Sequence, residues 1–218
     1  MAFLPAYSDF EKNFAKGKSQ LVWTTVPADL ETPVSAYLKL TGDSKNSFLL
    51  ESVEGGATLG RYSSIGLEPD LVWTYKKGSA ENPLGALRTL VADSRIDIVD
   101  PSIPPMGPSG LFGYMGYDMV RLIEHIPDNN PDIVDIPDSV MIRPTVMVIF
   151  DNAKSTITIV TPVRETSGAA KDAYDAAVRR LENSLDRLAD PVPSHVLHHA
   201  TKMSVPLPAE SNIGKNAF

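Results

Sequence analysis

The chain has 218 residues, 43% of them hydrophobic and 22% charged, which suits a globular protein with a sizeable core: one large domain, or one domain and a tail. Its formal net charge of −7, from 27 acidic and 20 basic side chains, argues against a surface built for nucleic acid or anionic lipid. There is no cysteine, which excludes a disulfide framework, a thiolate metal site and a cysteine nucleophile.

At the start, "MAFLPAYSDFEKNFAKG" places Pro5 and the charges Asp9, Glu11 and Lys12 where a signal peptide needs a continuous apolar run. The densest apolar run, Val146 to Phe150, is strand length and far short of a membrane span. A cytoplasmic protein is expected, with no membrane and no nucleic acid among its partners.

Ser8 is placed to cap a short helix over residues 9–16, with Glu11 at the capping-box position and Gly17 as its stop. "LVWTTVPA" then reads as a strand. A helix begins at 29–32 with Pro33 in its first turn, carries Tyr37, Leu38 and Leu40, and ends near Gly42. "NSFLLES" follows as a strand leading into a loop rich in glycine (Gly55, Gly56, Gly60), and Arg61-Tyr62-Ser63 opens another strand-like stretch. "DLVWTYKKG" alternates with the period of a half-buried strand. "NPLGALRTLVADS" is helical, with Leu84, Leu87, Leu90 and Val91 on one face.

The segment "DPSIPPMGPSG" is a proline- and glycine-rich loop. In "GPSGLFGYMGYD" the glycines at 110, 113 and 116 are expected to permit close backbone approach or a bulge beside Phe112, Tyr114 and Tyr117. "SVMIRPTVMVIFD" and "STITIVTPV" read as two strands of an antiparallel hairpin turning at Asn152-Ala153-Lys154. "SGAAKDAYDAAVRRLENSLDRLAD" is a helix whose apolar residues Tyr174, Ala177, Val178, Leu181, Leu185 and Leu188 recur at three and four, with Ser167 as its cap and Pro191 after its end. Residues 191–218 lose that periodicity and read as a linker that continues into something further. Hairpin strands with segregated helices give an α+β fold, largely antiparallel sheet with flanking helices.

Little of this carries chemistry by spacing alone. The glycine loop has neither the lysine of a phosphate-binding loop nor the spacing of a dinucleotide-binding one. His195, His198 and His199 cluster in the proline-rich tail with no nearby carboxylate, and His125 stands alone, so no metal site is expected. Asp128, Asp132, Asp135 and Asp138 alternate with prolines as a solvated loop and lack the closing glutamate of a calcium loop. No catalytic grouping assembles from the residues.

Glu51 and Ser52 are different, because they follow Phe48-Leu49-Leu50 where an apolar strand is expected to continue. Two readings stay open. One is a solvated strand end. The other is a ligand-facing pair: a carboxylate accepts a charge-assisted hydrogen bond from an α-ammonium group, the hydroxyl bonds the same polar end, and Leu50 with Pro33 supplies an apolar floor. That second set describes an amino-acid site.

"LLES", "GRYSSIG", "GLFGYMGYD" and "PD…MIRPTVMVIFDN", in that order and spacing across residues 5–190, resemble the amino-terminal domain of anthranilate synthase component I. The resemblance implies a lyase that converts chorismate to anthranilate and pyruvate in tryptophan biosynthesis. The intact enzyme uses Mg²⁺ in its chorismate-binding domain and ammonia from a glutamine amidotransferase partner, component II, and is feedback-inhibited by L-tryptophan. It implies that Leu50, Glu51 and Ser52 line the tryptophan pocket with Pro33 as a wall, and that Arg61 and Tyr62 stand close by. Residues 1–190 would then be the regulatory domain and 191–218 the linker toward a chorismate-binding domain. The catalytic and metal-binding residues of the family belong to that domain, so none is carried onto this chain, which is expected to be inactive alone. Alternatives are component I of aminodeoxychorismate synthase in the folate pathway, a stand-alone amino-acid-binding module, and a scaffold that docks the amidotransferase.

Overall fold

A computed structural model describes residues 2–42, 44–53, 59–79, 82–97, 99–105, 109–129, 132–164 and 168–193. The glycines at 55 and 56, Ser167 and the histidines at 195, 198 and 199 lie outside them. The elements run α1 (Tyr7–Phe14), β1 (Gln20–Pro27), α2 (Pro33–Thr41), β2 (Phe48–Val53), β3 (Leu59–Leu67), β4 (Leu71–Tyr75), α3 (Pro83–Asp93), β5 (Phe112–Met115), a 3₁₀ turn (Tyr117–Leu122), β6 (Ser139–Arg143), β7 (Val146–Asp151), β8 (Thr156–Val163) and α4 (Ala170–Ala189). They form an α+β fold in which, among the described residues, every strand pair is antiparallel. A five-stranded sheet has the order β1-β8-β7-β3-β2, and a three-stranded sheet the order β4-β6-β5.

The larger sheet is buried on both faces, so β7 reads as a continuous apolar run with no alternation. On one face Val22, Ile65, Val148, Phe150 and Ile159 pack against α1, α2 and α4 through Phe10, Ala36, Leu40 and Leu181. Full burial of each such aliphatic side chain contributes about 2 kcal/mol of transfer free energy. On the other face Trp23, Met147, Ile149 and Val160 pack with Ile103, and Phe48, Tyr62 and Phe112 close the edge of that cluster.

Local signals place the helices. Thr32 and Ser35 form a reciprocal capping box at α2, with Pro33 in its first turn, and Gly42 leaves the helix at φ 49°. α4 buries Ala177, Leu181, Ser184 and Leu188, spaced at four, three and four. α1 differs from expectation: its N-cap is Ala6 with no side-chain bond, so Ser8 lies inside the first turn and Tyr7 donates to Glu11 instead. α4 is likewise capped at Ala169, without a side-chain bond. The apolar face of α3 is only half covered, with Val91 exposed.

One expected strand divides. "SVMIRPTVMVIFD" becomes β6 in the small sheet and β7 in the large one, parted at Pro144, which has no N–H to donate to a ladder. The chain crosses between sheets twice at this corner. Thr145 N donates to Leu67 O (3.1 Å) and its hydroxyl to Glu68 O (2.6 Å), while Arg143 clasps Asp70 through Nε (2.7 Å) and Nη2 (3.1 Å). The β7–β8 hairpin forms as expected, closing from Asp151 to Thr156.

Candidate functional site

Among the described residues β2 is an edge strand, paired with β3 alone within the large sheet. Its register runs Phe48 to Gly66, Leu49 to Ile65, Leu50 to Ser64 and Glu51 to Ser63, then shifts before Val53 meets Leu59. The irregularity is a bulge in β3, where Gly60, Arg61 and Tyr62 stand opposite the single residue Ser52, and the acid is not at a strand end: β2 continues past it. Gly60 makes room for the bulge, since a Cβ there would lie 2.1 Å from Ser52 Oγ. Gly66 does the same for Phe48, whose ring atoms would meet a Cβ at 2.2 Å.

The bulge borders an open depression of about 360 Å³ lined by Leu50, Glu51, Ser52, Arg61 and Tyr62. Five of the six site residues expected from sequence are thus brought together. Pro33 is not among them; it opens α2, on the helix-covered face of the sheet. Glu51 and Leu49 share that face, whereas Leu50 pairs with Ser64 on the opposite one. Because β2 is an edge, residues of both faces reach the same depression.

Among the described residues Arg61 is the cation that lines the depression. Its Nε and Nη2 donate to Asp151 Oδ1 (3.2 Å) and Oδ2 (3.1 Å), and its guanidinium lies 4.8 Å over the Tyr62 ring. The Asp151 side chain is only 4% exposed, and its Oδ1 also accepts the N–H of Ala153 (3.2 Å). The hydrogen bonds from Arg61 are the main reason this carboxyl is held below the usual carboxylate range, against the opposing effect of burial. The β7–β8 turn fixes the base of Arg61 as well: Asn152 N donates to Arg61 O (2.8 Å) and Asn152 Nδ2 to Gly60 O (2.7 Å).

Leu50, 46% exposed, also borders a second, more apolar groove of about 460 Å³ between the two sheets. Phe48, Leu111, Phe112, Val140 and Ile142 line it. Phe48 and Phe112 stack there with ring centroids 4.7 Å apart. Asp151, Phe48 and Phe112 are absent from the site as read from sequence. Asp151 carried a usable signal, an acid ending a fully apolar strand, but its partner lies 90 residues away.

Elsewhere the aspartate-rich segment is less free than expected. Asp135 pairs with Lys76 and Asp128 with Lys77, and Asp138 Oδ2 accepts the Lys77 N–H (2.6 Å), around a depression of about 720 Å³. His125 is exposed. Among the described residues no three acidic or histidine side chains group as a metal site, and no helix is long and apolar enough to cross a membrane.

No family model matches the chain. Among curated proteins it is 40% identical over 200 residues to anthranilate synthase component 1 of Cereibacter sphaeroides, taking in 84% of this chain and 40% of that protein. It is 32% identical over 217 residues to the Mycobacterium tuberculosis protein of the same name, covering 90% of this chain and 41% of that one. The crystal structure of anthranilate synthase component I from Streptococcus pneumoniae TIGR4 is matched at a TM-score of 0.48 and 22% identity, over 78% of this chain and 37% of that chain. The chain spans about 40% of the length of the curated relatives it matches.

Proposed function

The chain belongs to the anthranilate synthase component 1 family over the 40% of those relatives' length that it spans, and from that premise we propose that it is the tryptophan-sensing regulatory part of such an enzyme. The observation that carries this reading is the convergence of Leu50, Glu51, Ser52, Arg61 and Tyr62 on one depression with an apolar groove beside it.

The chemistry suits a zwitterionic aromatic amino acid. Glu51 accepts from the α-ammonium, and Ser52, opposite the β3 bulge and backed by Gly60, bonds the same polar end. The groove between Phe48, Leu50 and Phe112 receives the indole by edge or offset stacking. Pro33 acts indirectly, as the first residue of the helix that packs on the β2–β3 edge.

In the whole protein this unit, residues 1–190, would precede a chorismate-binding domain that carries Mg²⁺ and converts chorismate and ammonia to anthranilate and pyruvate. A glutamine amidotransferase, component II, would supply the ammonia, in the cytoplasm. Residues 191–218 would be the connection, and this unit alone would be inactive. Tryptophan would inhibit by favouring an arrangement that binds chorismate poorly, so chorismate must weaken tryptophan binding by the same factor. The relatives named above are anthranilate synthases, which favours this reading over aminodeoxychorismate synthase.

Isothermal titration of the 218-residue chain with L-tryptophan, with L-phenylalanine as control, tests the proposal. Selective binding of tryptophan supports it; absence of binding, or equal binding of both, overturns it for this chain.

A further inference from the structure

We propose that Asp151 is a positioning residue: it holds the Arg61 guanidinium at the depression so that the donors it leaves uncommitted receive the carboxylate of an α-amino acid. The inference rests on the amino-acid-binding reading and assigns a polar contact that Glu51 and Ser52 leave unprovided. A zwitterion needs an anionic and a cationic partner, and among the described residues Arg61 is the cation that lines this depression.

A guanidinium has five donor hydrogens in a rigid fork. Two of them go to Asp151, from Nε and Nη2. Among the described residues Nη1 makes no hydrogen bond, and the Arg61 side chain remains 51% exposed. Among the described residues the fork is therefore committed on its Asp151 side and open on the other.

Asp151 is suited to hold rather than to bind. Its side chain is almost wholly covered, it ends the buried strand β7, and a turn N–H fixes one of its oxygens. Tyr62 supports the guanidinium from its face. An arginine locked on two sides loses little rotamer freedom when a ligand arrives, which is the advantage of preorganisation. The pair is also neutral overall, so the depression offers a directed donor without the net positive charge that would oppose the α-ammonium beside Glu51.

The test compares L-tryptophan with tryptamine, which keeps the indole and the ammonium but has no carboxylate. The 218-residue chain and its Asp151→Asn and Arg61→Lys variants are titrated with both, after circular dichroism confirms folding. Asp151→Asn keeps the shape and removes the charge; Arg61→Lys keeps the charge and removes the fork, at a half-exposed position that tolerates substitution. Each variant is expected to weaken L-tryptophan roughly ten- to a hundredfold; tryptamine affinity stays as in the parent in Arg61→Lys and falls by less than that of L-tryptophan in Asp151→Asn, which leaves the guanidinium charge unpaired. Equal losses for the two ligands mean a merely structural role and overturn the inference. A parent that binds tryptamine as tightly as L-tryptophan also overturns it, yet leaves the tryptophan site standing. A parent that binds neither overturns the site reading itself and this inference with it.

Discussion

Phe48 of β2 and Phe112 of β5 stack with centroids 4.7 Å apart and planes inclined by 27°, bridging the edge of the five-stranded sheet to the three-stranded one. Among the described residues strand β2 has no other sheet partner on that side, so the stack helps set the width of the groove that Leu50 shares with the Glu51–Ser52 depression. Aromatic pairs of this geometry contribute about 1 kcal/mol beyond the area they bury. A double-mutant cycle on Phe48→Leu and Phe112→Leu, read by urea unfolding, should return a coupling of about that size. Additive single effects would mean that the sheets are joined elsewhere.

Ser52→Ala and Gly60→Ala separate binding from architecture at the bulge. Removing the hydroxyl should leave the unfolding midpoint unchanged, since Ser52 is exposed, and should weaken tryptophan by about 1.5–3 kcal/mol, the range for a hydrogen bond to a charged group. Gly60→Ala should do the reverse first: its Cβ meets Ser52 Oγ at 2.1 Å, Ser52 Cβ at 2.5 Å and Ser52 O at 2.8 Å, so the β2–β3 pairing itself must shift. Adding Ser52→Ala to Gly60→Ala should restore little stability, because the Cβ and carbonyl clashes persist. Recovery of the parent midpoint in the double variant would refute this account of Gly60.

Gly113 offers a cleaner clash. A Cβ there would lie 1.9 Å from Val140 O in the paired strand β6, and backbone cannot yield as a flexible side chain can. Gly113→Ala should cost about 3 kcal/mol, near the top of the common range for single substitutions, and should lower the thermal midpoint. Gly110→Ala is the control, with nothing within 4 Å of its Cβ, and should be close to neutral.

These positions show what was legible in the sequence. α4 and the β7–β8 hairpin announce themselves because their patterns are local: a three-and-four repeat, and two apolar runs about a short turn. The α2 start is equally local, written in Thr32, Pro33 and Ser35. The division of one apparent strand at Pro144 is not, since it depends on the corner that Leu67, Glu68 and Asp70 form beside it. The site divides in the same way. Glu51 and Ser52 stand out as polar residues in an apolar run, and Arg61 and Tyr62 follow from the family resemblance. Asp151 comes beside the depression, and Phe112 beside the neighbouring groove, only through pairings that span 90 residues in one case and two sheets in the other. The bulge was also out of reach, because it shows only when β2 is laid against β3.

Acid should reveal the Arg61–Asp151 pair independently of any ligand. Hydrogen bonds from Arg61, its charge and the Ala153 N–H hold the Asp151 carboxyl below its usual range. Asp97 is lowered too, chiefly by the Ser19 hydroxyl and backbone N–H at the start of β1, and Asp135 by Lys76. A carboxyl whose pKa is lower folded than unfolded binds protons more weakly in the native state. Its stabilisation is therefore fully present above the unfolded value of about 3.9 and is lost as pH falls through the folded value. The urea midpoint should stay level from pH 7 down to about 5 on this account and then decline. Asp151→Asn should start lower at pH 7, having lost the charge-assisted bonds, and should then fall less steeply in acid because one of the responsible protons has been removed. Asp97→Asn should flatten the same limb without altering discrimination between L-tryptophan and tryptamine, since Asp97 lies at the β1 start and not at the depression. If the acid limb of Asp151→Asn runs parallel to that of the parent, the buried pair is not linked to folding through its proton, and the rigidity assigned to Arg61 must come from Tyr62 and the β7–β8 turn.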